Sequence, residues 1–399
     1  MGDILFLAHR VPYPPDRGDK IRGFHILNFL ATRKRVHLVA FADDTRDLTH
    51  KGVLPKLTGS RSIIWRRKPR WIAAIEALAG RKPVSLTAFS SQPVRDAVRD
   101  VLLRRSIDEI YVFSGQMAQY LPAKPRQRVI MDFVDMDSAK FAAYAEKSGP
   151  LSKWLMRREA NLLAQFERGV ANRVHASLLV SEAEASLFRA ETGAPRVHVI
   201  ENGIDTTFYD PDARFKRIES MGDLIVFTGQ MDYRPNIEAV TWFVESILPH
   251  VRLRHPQAQF AIVGRNPTEA VKALAKHDGV RVTGEVADVR GWIDAASAVV
   301  APLKMARGIQ NKVLEAMAMA RPVVVSTAAA EGIDHAGTIR VGESVGEIAD
   351  HLAAILDDRA AATALGAAAR AQVQRRYSWE ACLAPLDEIM GLSPKRART

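Results

Sequence analysis

Residues 308–326, GIQNKVLEAMAMARPVVVS, combine residue types that could hold a phosphorylated ligand. Small alanines favour a helix here, and the Arg-Pro pair stops that helix before an apolar strand. Lys312 in the first turn suits a diphosphate, and Glu315 one turn further on could accept hydrogen bonds from ribose hydroxyls. The alternative is a helix whose Lys and Glu face solvent. Unpaired backbone N–H groups would be offered at the start of the helix by three residues: Gly308, Gln310 and Asn311.

A second segment, GQMDYRPN at 229–236, follows an apolar run and leads into a predicted helix near Pro235. Because ligands bind at the carboxyl ends of parallel strands, we expect Gly229 and Gln230 to contact the ligand. Arg234 would then help Lys312 to stabilise a leaving diphosphate as charge develops on it. The alternative for Arg234 is an ordinary surface residue.

The loop HRVPYPPDRGDKIRG at 9–23 follows the first predicted strand. Its prolines stiffen the loop, and Gly18 would let the backbone approach a ligand closely. We expect Gly18 and Asp19 to face the diphosphate, whereas a Pro-rich turn that caps the sheet is the alternative. His9 could reach the site or be structural. Two following basic residues could bind a donor or acceptor phosphate: Lys20 and Arg22.

Two series of apolar runs, separated by helical patterns, predict an α/β fold with two doubly wound parallel sheets. The predicted domains are 1–205 and 221–376, with a hinge at 206–220 and a last helix and tail at 377–399. We expect ligands to bind in a cleft between the domains. The predicted strands cover residues 4–9, 36–42, 109–114, 128–134 and 174–181 in the first domain, and 224–229, 259–264, 280–284, 297–303 and 322–326 in the second.

Composition indicates a globular protein with large cores, since 47% of the 399 residues are hydrophobic. The one cysteine, Cys382, cannot form an internal disulfide, and no Cys/His spacing suggests zinc. The apolar run near the N-terminus is too short for a signal peptide, and no run of about 18 apolar residues occurs. We therefore expect a cytoplasmic protein without a transmembrane helix.

Basic residues are concentrated in the first half of the chain. Residues 1–200 hold 33 Lys and Arg against 20 Asp and Glu, whereas residues 201–399 hold 23 against 25. Residues 51–82 hold nine basic residues and one acid, and Trp65 and Trp71 flank the run RRKPR. Such a segment suits an anionic membrane surface, where each basic residue contributes about 1 kcal/mol. A solvated basic loop is the alternative, and nucleic acid is not an expected partner because no nucleic-acid-binding motif accompanies the charge.

The strings FTGQMDYRPN at 227–236 and GIQNKVLEAMA at 308–318 together resemble the retaining glycosyltransferases of family four. The chain is most similar to the sugar-transferase subgroup associated with exopolysaccharide and exosortase (PEP-CTERM) gene clusters. The strings PYPPDRGDKIR, DFVDMDSAKF and VIENGID resemble the same subgroup, so the resemblance covers nearly the whole chain. It implies the GT-B architecture, with two facing doubly wound domains, the donor nucleotide on the C-terminal one and a last helix that returns toward the N-terminal domain.

The resemblance also implies roles for particular residues. The segment VTGEVADV resembles a loop that holds the nucleotide base through backbone groups, which here are those of Gly284, Glu285 and Val286. Family members place a Glu eight residues before Glu315, where this chain has Arg307. An arginine there could meet a phosphate or an acidic sugar.

Three carboxylates, Asp132, Asp135 and Asp137, lie where relatives place a His or Asp against the transferred sugar. Asp135 is the first choice for contact with the sugar or an acceptor hydroxyl, and Asp132 is also a candidate contact. A divalent cation at these carboxylates is an alternative, but the resemblance implies diphosphate binding by basic groups without an obligatory metal or other cofactor. Asp137 could instead cap the next helix.

The resemblance implies transfer of a sugar from a nucleotide-diphosphate donor to a lipid-linked or polysaccharide acceptor at the inner membrane face. Lys312, Arg234, Arg307 and Asp135 are the predicted catalytic groups. Two other functions stay open at this point. A sugar-nucleotide epimerase would use the same donor without an acceptor, and a non-catalytic GT-B scaffold would only bind nucleotide and partner proteins.

Overall fold

The computed structural model describes residues 2–49, 52–146, 148–219, 222–306 and 308–392. The chain forms two compact units. Unit 1 contains Met1–Asn202 and Cys382–Thr399, and unit 2 contains Gly203–Ala381. The segment 206–219, expected as a hinge between domains, therefore lies within unit 2.

Unit 1 is built on a seven-stranded, fully parallel sheet with the order β3-β2-β1-β4-β5-β6-β7. Its central strands are apolar on both faces because helices cover both sides, as a doubly wound sheet requires. The strands are β1 (Asp3–Ala8), β2 (Val36–Ala42), β3 (Ser60–Trp65), β4 (Ile107–Phe113), β5 (Arg128–Val134), β6 (Ala176–Leu179) and β7 (Val197–Val199).

Nine α-helices and a 3-10 turn at Gly115–Tyr120 connect these strands in the described part of unit 1. The longest, α8, has its second half buried against the sheet. The helices are α1 (Gly18–Ala31), α2 (Arg46–Thr49), α3 (Leu54–Leu57), α4 (Arg70–Ala79), α5 (Val84–Ala88), α6 (Gln92–Arg104), α7 (Asp137–Glu146), α8 (Pro150–Ala171) and α9 (Glu182–Thr192).

Unit 2 has a six-stranded parallel sheet with the order β10-β9-β8-β11-β12-β13. The strands are β8 (Leu224–Thr228), β9 (Gln259–Val263), β10 (Val280–Gly284), β11 (Ala298–Ala301), β12 (Val323–Val325) and β13 (Arg340–Val341). The helices are α10 (Arg234–Trp242), continued by a π-helical turn (Phe243–Ile247), α11 (Leu248–Arg254), α12 (Glu269–Ala273) with a 3-10 turn (Leu274–Lys276), α13 (Arg290–Ala295), α14 (Asn311–Ala318), α15 (Thr327–Ala330), α16 (Val345–Asp357) and α17 (Arg359–Arg376).

The last elements of the described residues are two short helices, α18 (Trp379–Leu383) and α19 (Pro385–Met390). Helix α19 belongs to unit 1, where the Arg33 guanidinium donates to the Asp387 carboxylate at 2.8 Å. The C-terminal helix thus returns to the N-terminal domain as predicted. Cys382 is buried, and its thiol lies 3.8 Å from the Asn202 carbonyl oxygen.

The predicted α/β fold with two doubly wound parallel sheets is confirmed, and each predicted apolar run contains a strand. Three edge strands, β3, β7 and β13, were not predicted from the sequence. Strand β3 escapes prediction because it is only partly buried and lies in the basic segment 51–82, which has the composition of a surface loop.

A buried ion pair stabilises the centre of unit 1. Arg22 on α1 donates to both carboxylate oxygens of Asp132 on β5, at 3.1 and 3.2 Å. The Tyr111 hydroxyl donates to the same carboxylate at 2.8 Å, and Arg22 also donates to the Ile200 carbonyl and the Asn202 side chain at 2.9 Å. Arg22 and Asp132 are 1% and 0% exposed. A buried pair is tolerated when its remaining hydrogen bonds are satisfied, as they are here.

We predict that Arg22→Met destabilises unit 1 by about 3–5 kcal/mol, because it leaves a buried carboxylate without its cation. The matched control is Arg99→Met, which removes an exposed pair with Asp96 and is expected to cost less than about 1 kcal/mol. Urea denaturation followed by circular dichroism compares the two. The double variant Arg22→Met/Asp132→Leu is expected to recover part of the loss, and equal stabilities of the Arg22 variant and the control would contradict the assignment.

Candidate functional site

A pocket of about 650 Å³ lies within unit 2, at the carboxyl ends of β8 and β9 and beside the start of α14. This is the edge of a parallel sheet where ligands bind. Its walls combine backbone from glycine-containing loops with polar and charged side chains. The pocket is lined by Tyr209, Thr228, Gly229, Gln230, Tyr233, Asn236, Val263, Gly264, Arg265, Glu285, Val286, Val289, Ile309, Gln310, Asn311, Lys312 and Glu315.

The Lys312 amine is the central cation of this pocket. It donates to the Asn236 side-chain oxygen at 2.6 Å and lies 4.2 Å from the centre of the Phe227 ring. Burial lowers the pKa of Lys312 to about 8, and the nearby Glu315 carboxylate opposes that shift. The amine is thus held in a setting that disfavours its charge, which an anionic ligand would relieve.

Gly229, the first residue after β8, leaves the space that Lys312 and Asn236 occupy. A Cβ at this position would lie 2.8 Å from the Asn236 amide nitrogen and 3.2 Å from the Lys312 amine. The Asn236 amide also donates to the Gln230 carbonyl at 2.9 Å. The loop after β8 is therefore fixed to the amine by one asparagine, and it requires glycine at 229.

Glu315 lies one turn after Lys312 and is hydrogen-bonded to the Tyr209 hydroxyl. Burial raises the pKa of Glu315, while Tyr209 and Lys312 act in the opposite direction. Burial, together with the Glu315 carboxylate, also raises the pKa of Tyr209. Tyr209 therefore orients the carboxylate, which keeps further acceptor capacity for ligand hydroxyls.

Two further features of the pocket point to a ligand. The Thr228 hydroxyl is buried and has no hydrogen-bond partner among the described residues. Helix α14 begins at Asn311 without a side-chain cap, so its first N–H groups are available to an anion. A buried unpaired hydroxyl is costly unless a ligand or water satisfies it.

The structure brings most of the predicted nucleotide-binding residues into this pocket: Gly229, Gln230, Glu285, Val286, Gln310, Asn311, Lys312 and Glu315. Gly284 and Gly308 precede lining residues and have positive φ angles of 70° and 67°, which favour glycine. Sequence analysis missed Tyr209, which lies in the presumed hinge, and Asn236, which ends the string FTGQMDYRPN. Thr228, in the same string, was also missed.

Arg234 does not line the pocket. Its side chain is 83% exposed and pairs with Glu238 at 2.7 Å on the next turn of α10. The first position of a helix points outward here, so the expectation that Arg234 stabilises a diphosphate in this pocket is not supported. Arg307 lies outside the described residues.

Three predicted ligand contacts in unit 1 are engaged in the core instead. Arg22 and Asp132 form the buried pair described above, and Lys20 donates to Asp47 at 2.6 Å with both side chains buried. These groups cannot reach a phosphate or sugar without breaking buried ion pairs. Their roles were wrongly assigned because the sequence does not show which charged residues of a loop turn inward.

The other predicted residues of unit 1 lie near the carboxyl ends of β1 and β5. His9 contacts the Asp19 carboxylate at 3.2 Å, and Arg10 also pairs with Asp19. These partners keep the pKa of Asp19 well below its usual range, so its carboxylate is anionic and ill-suited to face a diphosphate. Gly18 begins α1, and a Cβ there would meet no described atom within 4 Å.

Asp135 pairs with Lys140 at 2.5 Å and stays partly exposed. Asp137 accepts from Gln116 at 3.2 Å, and burial raises its pKa. Since Asp132 is directed at Arg22, the three carboxylates do not converge on one point. No group of three or more His, Cys, Asp or Glu side chains in the described ranges could hold a metal ion.

We predict that Lys312 titrates near pH 8, well below the ordinary lysine value of about 10.5. Labelling by an amine-reactive reagent requires the neutral amine, so the rate at Lys312 should rise through pH 8 and be read by mass spectrometry. Glu315→Gln is expected to lower the midpoint further because Glu315 supports the charged form. The control Glu269→Gln, at the pair with Lys272, should leave Lys312 unchanged, and a wild-type midpoint near 10.5 would refute the prediction.

Comparison with known proteins agrees with this geometry. Residues 222–358 match the family model for glycosyl transferases group 1. A GDP-mannose-dependent alpha-(1-6)-phosphatidylinositol monomannoside mannosyltransferase of Mycobacterium tuberculosis is 30% identical over 235 residues, which are 53% of this chain and 60% of the relative. The chain thus matches less than two thirds of this relative's length. A related monoacylated-substrate mannosyltransferase of Corynebacterium glutamicum is 30% identical over 162 residues.

Solved structures share the fold over nearly the whole chain. Sucrose-phosphate synthase from Thermosynechococcus elongatus superposes with a TM-score of 0.59 at 18% identity, covering 97% of this chain and 98% of that one. A glycosyltransferase from Rickettsia africae gives a TM-score of 0.60 at 12% identity, with 98% of each chain covered. The chain therefore has the fold of these solved structures, with two Rossmann-like units, and its residues 222–358 are similar to the glycosyl transferases group 1.

Proposed function

We propose that this protein is a glycosyltransferase that moves a sugar from a nucleotide-diphosphate sugar to a glycan or lipid-linked acceptor. The observation that carries the proposal is the pairing of Lys312 and Glu315, one turn apart on α14, in a pocket that also contains the uncapped start of that helix. A cation, open N–H groups and a carboxylate in this order suit a diphosphate followed by a ribose.

In this proposal Lys312 and the first N–H groups of α14 bind the diphosphate and stabilise the charge that develops as it leaves. Glu315, oriented by Tyr209, accepts hydrogen bonds from the ribose hydroxyls. Glu285 and Val286, after β10, flank the base. In this proposal, separate groups of the pocket bind the diphosphate, the ribose and the base.

The reaction is proposed to retain the configuration at the sugar carbon, on the strength of the resemblance to family four. The bond from that carbon to the diphosphate oxygen breaks, and a bond to the acceptor oxygen forms on the same face. The acceptor proton passes to an oxygen of the departing diphosphate. No side chain of the protein is proposed as the nucleophile.

The donor to test first is GDP-mannose, because both mannosyltransferase relatives are GDP-mannose-dependent. Those relatives act on phosphatidylinositol mannosides, which supports a lipid-linked acceptor for this protein too. The resemblance to the exopolysaccharide subgroup supports a role in surface-glycan synthesis at the inner face of the membrane. No helix among the described residues has the length and hydropathy needed to span a bilayer.

A turnover assay distinguishes a glycosyltransferase from the two other functions considered, an epimerase and a non-catalytic scaffold. An epimerase would convert the nucleotide sugar without an acceptor, and a scaffold would bind nucleotide without product. Release of GDP that depends on both GDP-mannose and a glycolipid acceptor would support transfer. Nucleotide binding without turnover across a panel of donors and acceptors would favour the scaffold.

We predict that Glu315→Gln weakens nucleoside-diphosphate binding by about tenfold to a hundredfold, because it removes a charged acceptor from the ribose hydroxyls. Calorimetric titration with GDP, UDP, ADP and dTDP measures the effect, and GDP is expected to bind best. Glu269→Gln, an exposed carboxylate of the same unit, is the matched control and should bind as the wild type does. Equal affinities for the two variants would exclude the ribose role of Glu315.

We predict a smaller effect, about fivefold, for Tyr209→Phe, since it removes one hydrogen bond and leaves the carboxylate in place. The same calorimetric titration with the best-bound nucleotide measures this loss. Tyr144→Phe, at an exposed tyrosine of unit 1 outside the pocket, is the control for the loss of a phenolic hydroxyl. A Tyr209 variant that binds as well as the wild type would show that Glu315 needs no orienting partner.

A further inference from the structure

Helix α4 in unit 1 presents three of its four large apolar residues to solvent, the fourth, Ile72, being half-buried, and it turns two of its alanines to the protein. Trp71, Ile75 and Leu78 are 66%, 60% and 47% exposed, and their spacing places them on one stripe of the helix. Ala73 and Ala77 are fully buried. An ordinary surface helix has the opposite pattern, with its large apolar side chains in the core.

A second exposed apolar stripe occupies the first turns of α8. Leu151, Trp154 and Leu155 are exposed, whereas the later residues Ala160 and Leu163 are buried. The second half of α8 therefore buries apolar side chains, as a surface helix usually does, whereas the first half exposes them.

The two stripes lie on helices that are tied together. Arg158 is one turn after Trp154 and donates to the Ala77 carbonyl at the end of α4, at 2.8 Å, and to the Lys82 carbonyl. The next residue, Glu159, accepts from the backbone N–H groups of Val84 and Ser85 at the start of α5. We call the six exposed side chains the apolar patch: Trp71, Ile75, Leu78, Leu151, Trp154 and Leu155.

Basic side chains surround the apolar patch. Arg67 lies before α4, and Arg81 and Lys82 lie after it, all exposed. The only acidic residue of α4, Glu76, is neutralised by Lys68 at 2.7 Å. Large apolar side chains within a ring of basic ones are typical of helices that lie in the headgroup region of an anionic bilayer.

We propose that α4 and the first turns of α8 form a docking surface for an anionic lipid bilayer. Trp71, Ile75 and Leu78 enter the boundary between headgroups and acyl chains, and Arg67, Arg81 and Lys82 contact lipid phosphates. The inference deepens the proposed lipid-linked acceptor by naming the surface that meets the membrane. Binding to lipid needs no nucleotide, so it is tested independently of the transfer reaction.

The test is sedimentation of the full chain with vesicles of phosphatidylcholine alone and with vesicles in which about a third of the lipid is phosphatidylglycerol. The wild type is expected to bind the anionic vesicles. Trp71→Ser/Ile75→Ser should weaken that binding by at least about tenfold, because two apolar side chains no longer enter the bilayer. Arg81→Glu/Lys82→Glu should weaken binding to anionic vesicles and have little effect on neutral ones.

The matched control is Leu103→Ser, which replaces an apolar side chain of unit 1 that is 77% exposed near the end of α6. It should bind vesicles as the wild type does. No binding of the wild type, or equal loss in the control and the patch variant, would overturn the proposal. Self-association that the patch variant abolishes, without vesicle binding, would assign the surface to a second copy and overturn it as well.

Nucleotide binding by the same patch variant, measured by calorimetry, separates the two proposals. Unchanged nucleotide affinity with lost vesicle binding supports the docking surface. Normal vesicle binding by a protein that binds no nucleotide would leave the docking surface intact and count against the sugar-transfer function alone.

Discussion

The pocket of unit 2 depends on keeping one amine charged where burial opposes its charge. Burial next to Phe227 lowers the pKa of Lys312, and the compensation comes from Asn236 and Glu315. The positions of these groups are linked, because Asn236 also fixes the loop after β8 and that loop has no room for a Cβ at Gly229. A substitution at any of them changes the state of the amine.

The surroundings of Lys312 and the start of α14 explain why the proposed anion needs no metal ion to bind in the pocket. Lys312 already lies in a setting of low polarity, where an added negative charge interacts more strongly than it would in water. The uncapped start of α14 adds N–H groups that need no desolvated counter-charge. Glu315 is hydrogen-bonded to Tyr209 and also supports the charged form of the amine.

Unit 1 uses its buried charges differently. Arg22, Asp132 and Tyr111 are hydrogen-bonded to one another, Arg22 also donates to Ile200 and Asn202, and Lys20 is paired with Asp47. These groups fix α1 against the sheet, so they contribute structure. Two other residues near the strand ends are less well stabilised. The His9 Nδ1 atom is buried without a described hydrogen-bond partner, and burial disfavours the charged form of Asp137 nearby.

The two doubly wound sheets and most of the pocket could be predicted because local sequence patterns indicate the strands, the glycine turns and the helix 311–318. What could not be predicted depends on side-chain direction. Lys20 and Arg22 have the same composition signal as Lys312, yet they turn inward and pair with carboxylates on another helix and on a strand, Asp47 and Asp132. Tyr209 was missed for the converse reason, since a polar linker gives no sign that its tyrosine contacts Glu315 on α14.

The exposed face of α4 shows that the composition of a segment does not determine which of its side chains are buried. Residues 51–82 have the composition of a solvated basic loop, but part of the segment forms a helix whose two fully buried described side chains are alanines. Burying a side chain such as Trp or Ile contributes about 1.5–3 kcal/mol relative to leaving it exposed. Because Trp71 and Ile75 stay exposed in the folded chain, folding does not gain most of that free energy at these two residues. Only an association that covers these side chains recovers it, and the ring of basic residues selects an anionic surface for that role.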